Sequence, residues 1–141
     1  MFLGEYQHSI DEKGRVIMPA RFRDQLGPNF IITRGLDGCL FVYPAAEWEK
    51  LSQEVQTLPL AKKDARAFSR MLFSGAAEGE CDKQGRVSLP ANLREYAGIE
   101  RDVVSIGVSS RIEIWAAQNW ARVNADAAQR YEELAEKLEG I

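Results

Sequence analysis

Short runs rich in β-branched and aromatic residues alternate along the chain with stretches whose apolar residues recur every three or four positions. Residues 4–10 and 75–81 read as strands, and each leads into a charged turn, DEKGR at 11–15 and DKQGR at 82–86. Asp is favoured at the first position of a type I turn and Gly at the fourth, which places Gly14 and Gly85 at positive φ in a short hairpin loop. Arg15 and Arg86 open the returning strands, RVIM and RVSL. Pro19 and Pro90 suit the first turn of a helix, where no backbone donor is needed. Phe22 with Leu26, and Leu93 with Ala97, share one face of those helices, which Gly27 and Gly98 end. The runs FIIT, CLFVY, VVSI and IEIW predict a second hairpin in each half, turning at Asp37-Gly38 and at Ser109-Ser110.

The succession of elements occurs twice because the sequence itself does. Residues 2–27 laid on 73–98 give ten identities in twenty-six ungapped positions, where unrelated segments give about one or two. After a one-residue insertion, residues 30–48 run beside 102–120, and Val42/Ile114, Tyr43/Trp115 and Trp48/Trp120 match in character or identity. Beyond these copies the two halves diverge. Trp48, Leu51, Val55 and Leu58 keep helical spacing until Pro59, then Leu60, Ala65, Phe68 and Leu72 begin a second helix with Lys62, Lys63, Arg66 and Arg70 on its other side. After the second copy, Trp120, Val123, Ala127, Tyr131, Leu134 and Leu138 predict one amphipathic terminal helix, with Glu132, Glu133, Glu136 and Glu139 on its polar face. The expected organisation is a first repeat over 5–47, connecting helices over 48–75, a second repeat over 76–119 and a terminal helix over 120–141. No Gly-, Ser- or Pro-rich linker separates the halves, so they should pack as one body.

Composition narrows the chemistry. With 45% hydrophobic and 28% charged residues, the chain is an ordinary globular one. No apolar stretch is long enough for a signal peptide or a membrane span, so a cytoplasmic location and no membrane partner are expected. Cys39, Cys81 and His8 are too few and too scattered for a zinc set. The cysteines read as buried or half-buried strand residues, and His8 as a surface strand residue. No nucleophile–base–orienter set and no G-x-x-x-x-G-K loop can be assembled, so no catalysis, metal, cofactor or small-molecule substrate is expected.

The net charge of −3 speaks against nonspecific nucleic-acid binding. Its distribution matters more. Residues 1–98 hold 13 Lys/Arg against 13 Asp/Glu, whereas 99–141 hold 5 against 8. The windows 11–23 and 82–94 are each net +2. An isolated D-x-x-G-R turn is explained by geometry alone, with Asp and Arg pairing across it. The repeated arginine admits a second reading, since a pseudo-twofold would put two Arg-bearing loops on one surface, suited to phosphates or guanine edges. The basic side of 60–72 also admits two readings, phosphate contacts or an interface with an acidic helix of a neighbouring subunit.

The doubled strand, D-x-x-G-R-V-x-x-P, helix and hairpin resembles the swapped-hairpin AbrB-like DNA-binding fold: α+β, mainly β, a pseudo-twofold barrel built from two tandem repeats with flanking helices. Two copies in one chain of this length, with F-x-G before each and a helical tail, resemble the MraZ family of bacterial transcriptional regulators. The resemblance implies a nucleoid-associated repressor of the division and cell-wall gene cluster that contains its own gene. It further implies a ring-like homo-oligomer on short G-rich direct repeats of promoter DNA. The DNA-contacting roles fall on Arg15 and Arg86, with Asp11, Gly14, Asp82 and Gly85 positioning the loops. Lys13 and Lys83 sit in the same turns at different positions, and Arg21, Arg23 and Arg94 are secondary candidates. Asn92 stands where a counterpart of Arg21 would be. The alternative is an antitoxin-like interaction module on the same fold, whose tail holds a protein partner.

Overall fold

The computed structural model describes residues 1–138 and 140. Within them the chain runs β1 (Phe2–Ser9), β2 (Arg15–Ile17), α1 (Ala20–Leu26), β3 (Phe30–Arg34), β4 (Leu40–Pro44), α2 (Ala45–Gln56) and α3 (Lys63–Ser74). It continues with β5 (Ala77–Gly79), β6 (Arg86–Ser88), α4 (Ala91–Ala97), β7 (Asp102–Ser109), β8 (Arg111–Ala116), α5 (Ala117–Gln129) and α6 (Tyr131–Lys137). The class is α+β, as the resemblance implied.

Two antiparallel sheets carry the architecture: six strands in the order β1-β7-β8-β4-β3-β5, and a two-stranded ribbon, β2-β6. The halves interleave. β1 pairs with β7 and β5 with β3, so each repeat's first strand completes the other repeat's hairpin. Val16 pairs with Val87 and Phe41 with Glu113, and in both pairs the partners are repeat counterparts. A twofold operation maps such a pair onto itself, so the pseudo-twofold axis passes through the centre of the ribbon and the centre of β4–β8. The Asp37 and Ser109 turns have φ of 67° and 60°, which lets the β3–β4 and β7–β8 hairpins close tightly.

The sheet has two covered faces. Leu40, Val42, Ile112 and Ile114 meet Val16 and Val87 of the ribbon and Phe22 and Leu93 of α1 and α4 in one core. Burying each such side chain contributes roughly 1.5–3 kcal/mol. On the opposite face Phe41, Tyr43, Val104 and Trp115 lie under Trp48 and Leu51 of α2 and Trp120 and Val123 of α5. The acidic C-terminal part of the chain therefore begins on the far side of the sheet from the ribbon.

Several expectations are corrected. The barrel is not closed: among the described residues the six-stranded sheet is open, with β1 and β5 at its edges. β1 and β2 flank a hairpin-like turn yet pair with other strands, β7 and β6. β5 is short because α3 continues to Ser74, so Phe73, which aligns with Phe2 of β1, is helical. The terminal helical run breaks at Arg130, where φ is −111° and ψ 9°, into α5 and α6. Glu139, assigned to its acidic face, lies outside the described residues. Cys39 and Cys81 fall just outside strands, the first buried and the second half-buried. His8 is half-buried, its Nε2 2.9 Å from Ser105 Oγ, and that burial lowers its pKa.

Candidate nucleic-acid interface

The two charged turns are built alike. The backbone N–H of Gly14 donates to Asp11 O at 3.0 Å, and that of Gly85 donates to Asp82 O at 3.0 Å, closing each four-residue turn. Gly14 and Gly85 have φ of +76° and +78°, a conformation that a side chain disfavours. Asp11 Oδ1 accepts the N–H groups of Lys13 (3.0 Å) and Arg15 (2.9 Å), while Oδ2 accepts Arg15 Nε (2.8 Å). Asp82 does the same for the N–H groups of Gln84 and Arg86, each 2.9 Å, and for Arg86 Nε at 2.8 Å. Aspartate is needed because one short carboxylate spans two main-chain donors and one side chain.

The Nε contact fixes each guanidinium by its inner nitrogen. The terminal nitrogens of Arg15 and Arg86 make no hydrogen bond within the described residues. Both arginines thus present a forked pair of donors, held in direction by the carboxylate behind them. Val16 and Val87 point inward, so Arg15 and Ile17 of β2 and Arg86 and Ser88 of β6 share the ribbon's outer face. Arg15 lies opposite Ser88, and Arg86 opposite Ile17. The arginine Cα atoms therefore sit roughly 8 Å apart on a diagonal, from strand rise and spacing.

Each turn is completed by the other repeat. Met18 N–H donates to Gly85 O at 2.8 Å, and Leu89 N–H to Gly14 O at 2.9 Å. Arg94 of α4 lies against Gly14, so that an added Cβ there would be 2.9 Å from its Cζ. Arg23 of α1 lies against Gly85 in the same way, 2.7 Å from Cζ to an added Cβ. Arg94 Nε donates to Leu89 O at 3.0 Å, which anchors it beside the first turn. Two basic clusters result, Lys13, Arg15 and Arg94 on one side, Lys83, Arg86 and Arg23 on the other.

Not every candidate joins them equally. Lys13 is the structural counterpart of Gln84, and Lys83 of Glu12, so the two exposed lysines are not equivalent. Arg21 lies exposed in the first turn of α1, and its side chain makes no hydrogen bond or ion pair among the described residues. Ile17, 54% exposed at the centre of the surface, and Ser88 were not singled out from the sequence. The signal for them is the inward Val16 and Val87, which put their next neighbours outside with the arginines.

The carboxylates are tuned by this geometry. Asp11 is held below its ordinary pKa, chiefly by the Arg15 backbone N–H, with the Arg15 side chain and the Lys13 N–H adding to it. Asp82 is lowered by the matching groups of Arg86 and Gln84. A carboxyl with a depressed folded pKa contributes stability above its unfolded pKa and loses it as pH falls through the folded value. The turns are therefore expected to hold through the ordinary aspartate range and to loosen only below it. Carboxyl NMR titration should place both midpoints under that of aspartate in a peptide of the same sequence; midpoints at or above it would refute the arrangement.

Residues 1–71 and 72–139 each match the family described as MraZ protein. The chain belongs to the MraZ family. It is 59% identical over 138 residues to "Transcriptional regulator MraZ" of Pelotomaculum thermopropionicum, covering 98% of this chain and 95% of that protein. It is 58% identical to the protein of that name from Heliobacterium modesticaldum, covering 98% and 96%. Identity to the one from Natranaerobius thermophilus is 56%, again over 98% and 96%. The two tandem matches correspond to the duplication read from the sequence, and the role named for these relatives is regulatory rather than enzymatic.

Proposed function

We propose that this MraZ-family chain is a sequence-specific DNA-binding regulator that uses the outer face of the β2–β6 ribbon and its two turns. The observation that carries the reading is the pair of arginines whose side chains are held by Nε alone among the described residues, with no partner there for their terminal nitrogens, on an outward two-stranded ribbon. The major groove, about 12 Å wide, admits such a ribbon, and guanine O6 and N7 accept a forked pair of donors. Arg15 and Arg86 read G-rich elements, Asp11 and Asp82 aim them, and Arg23, Arg94, Lys13 and Lys83 meet phosphates.

One subunit offers few cations on a chain of net charge −3, so its binding at physiological salt is weak. A ring-like homo-oligomer presenting the ribbon to directly repeated sites gains on the order of 10²–10⁴ by effective concentration. The target is promoter DNA of the division and cell-wall gene cluster that includes the protein's own gene, which it represses in the cytoplasm at the nucleoid. No helix among the described residues is long and apolar enough to cross a membrane.

A gel-shift titration on DNA upstream of the protein's own gene tests this, with a scrambled competitor. Specific retardation is expected, and equal affinity for the scrambled duplex would overturn the reading. Arg23→Ala with Arg94→Ala should flatten the salt dependence, by about 0.9 in slope for each phosphate contact removed. Sequence preference should survive that change.

A further inference from the structure

Among the described residues, the outer face of the β2–β6 ribbon carries four side chains, Arg15, Ile17, Arg86 and Ser88. Three have donors to offer water or a ligand. Ile17 has none, and it is 54% exposed. A lone exposed aliphatic residue is ordinary on a protein surface. This one stands between two guanidinium groups on the surface that carries the proposed function. The fold does not require it there, since its repeat counterpart Ser88 occupies the matching position with a hydroxyl.

The backbone holds Ile17 at one place on that face. It ends β2 and lies opposite Arg86 in the register. The next residue, Met18, is 1% exposed and donates its N–H to Gly85 O at 2.8 Å, which pins the strand end to the second turn. Residues directly opposite in an antiparallel pair have Cβ atoms about 4.5–5.5 Å apart. Bases along one DNA strand are spaced about 3.4 Å. Ile17 and Arg86 therefore address bases about one or two steps apart. Arg15 is farther from Ile17, two residues back along β2, or roughly 7 Å.

Few groups on DNA suit this side chain. Set against a phosphate or a polar base edge, it strips water from them and returns no hydrogen bond. In the major groove the apolar group on a base edge is the C5 methyl of thymine. That methyl stands out from the edge, which suits a side chain shorter than the neighbouring arginine. We infer that Ile17 is a specificity-determining residue, packing on the C5 methyl of a thymine beside the guanine bound by Arg86. Ser88, next to Arg15, offers no hydrocarbon surface and makes no matching demand. The inference rests on the ribbon's proposed place in the major groove and adds a base to those the arginines read.

The test is a set of gel-shift titrations of the full chain on DNA upstream of its own gene. Each thymine of the bound element is replaced in turn by uracil, which lacks only the methyl group. Burial of one methyl is worth about fourfold in affinity. The wild type is expected to lose about that factor at one thymine per element and to tolerate uracil at the others. Ile17→Ser should lose a similar factor on the thymine duplex and nothing further when that thymine becomes uracil. Ile17→Val keeps a branched hydrocarbon and should keep the uracil penalty. Specific binding by a wild type indifferent to uracil at every position would overturn the thymine contact and leave the ribbon reading standing. An Ile17→Ser variant that retains the full uracil penalty would do the same. A wild type with no preference for its own upstream DNA would overturn both.

Discussion

Arg15→Ala together with Arg86→Ala is expected to abolish specific DNA binding while fold and oligomeric mass stay unchanged. Each forked arginine on a guanine is worth about 1–3 kcal/mol of discrimination. Losing two from one subunit therefore lowers affinity by roughly 30-fold to 10⁴-fold, at 1.4 kcal/mol per decade. In an assembly the loss compounds, because each subunit's weaker grip also lowers the avidity of its neighbours. The fold should be indifferent. Asp11 keeps the N–H groups of Lys13 and Arg15, and Asp82 those of Gln84 and Arg86, when only the arginine side chains go. Lysine replacements should rescue poorly, since lysine lacks the inner nitrogen that Asp11 and Asp82 hold. Unchanged affinity of the double alanine variant in a gel-shift titration would remove the ribbon from the binding surface.

The largest expected effect on stability is Phe22→Ala. Phe22 is 1% exposed and meets the rings of Phe2 and Tyr6 edge-on, at centroid distances of 5.6 Å and 5.1 Å. Those two rings belong to β1, so one side chain of α1 pins the first repeat's helix to the strand that completes the second repeat's hairpin. Truncating a buried phenylalanine costs about 3–5 kcal/mol through lost burial and the cavity left behind. For a domain of this size that lowers Tm by on the order of 10 °C. Urea unfolding at fixed protein concentration checks it, because assembly also shifts apparent stability. A loss under about 1 kcal/mol would mean the site collapses around the gap.

Local chemistry was legible in the sequence, and long-range partnership was not. D-x-x-G foretold the turns because Asp and Gly serve them through neighbours a few residues away. Asp37-Gly38 and Ser109-Ser110 marked their hairpins for the same reason. Which strand pairs with which had no such signal, since β1 finds β7 a hundred residues on. Arg94 beside Gly14 and Arg23 beside Gly85 result from that interleaving, and no spacing along the chain announces them. Identity within the repeat even misleads at one pair. Gly4 sits in β1 with φ of +96°, while its counterpart Gly75 caps α3 with φ of −84°. The difference arises because α3 occupies the residues that would otherwise have lengthened β5.

The pseudo-twofold holds at Val16 and Val87 and fails one residue later, where Ile17 answers Ser88. A ribbon with perfect symmetry would show the same groups to both strands of a duplex and give its footprint no head or tail. Here one arginine faces a branched hydrocarbon and the other a hydroxyl, so the surface has polarity. A polar surface distinguishes a site from its own reverse complement. On the DNA-binding role proposed for the ribbon, copies of it laid along a duplex in one sense can register sites that all point the same way.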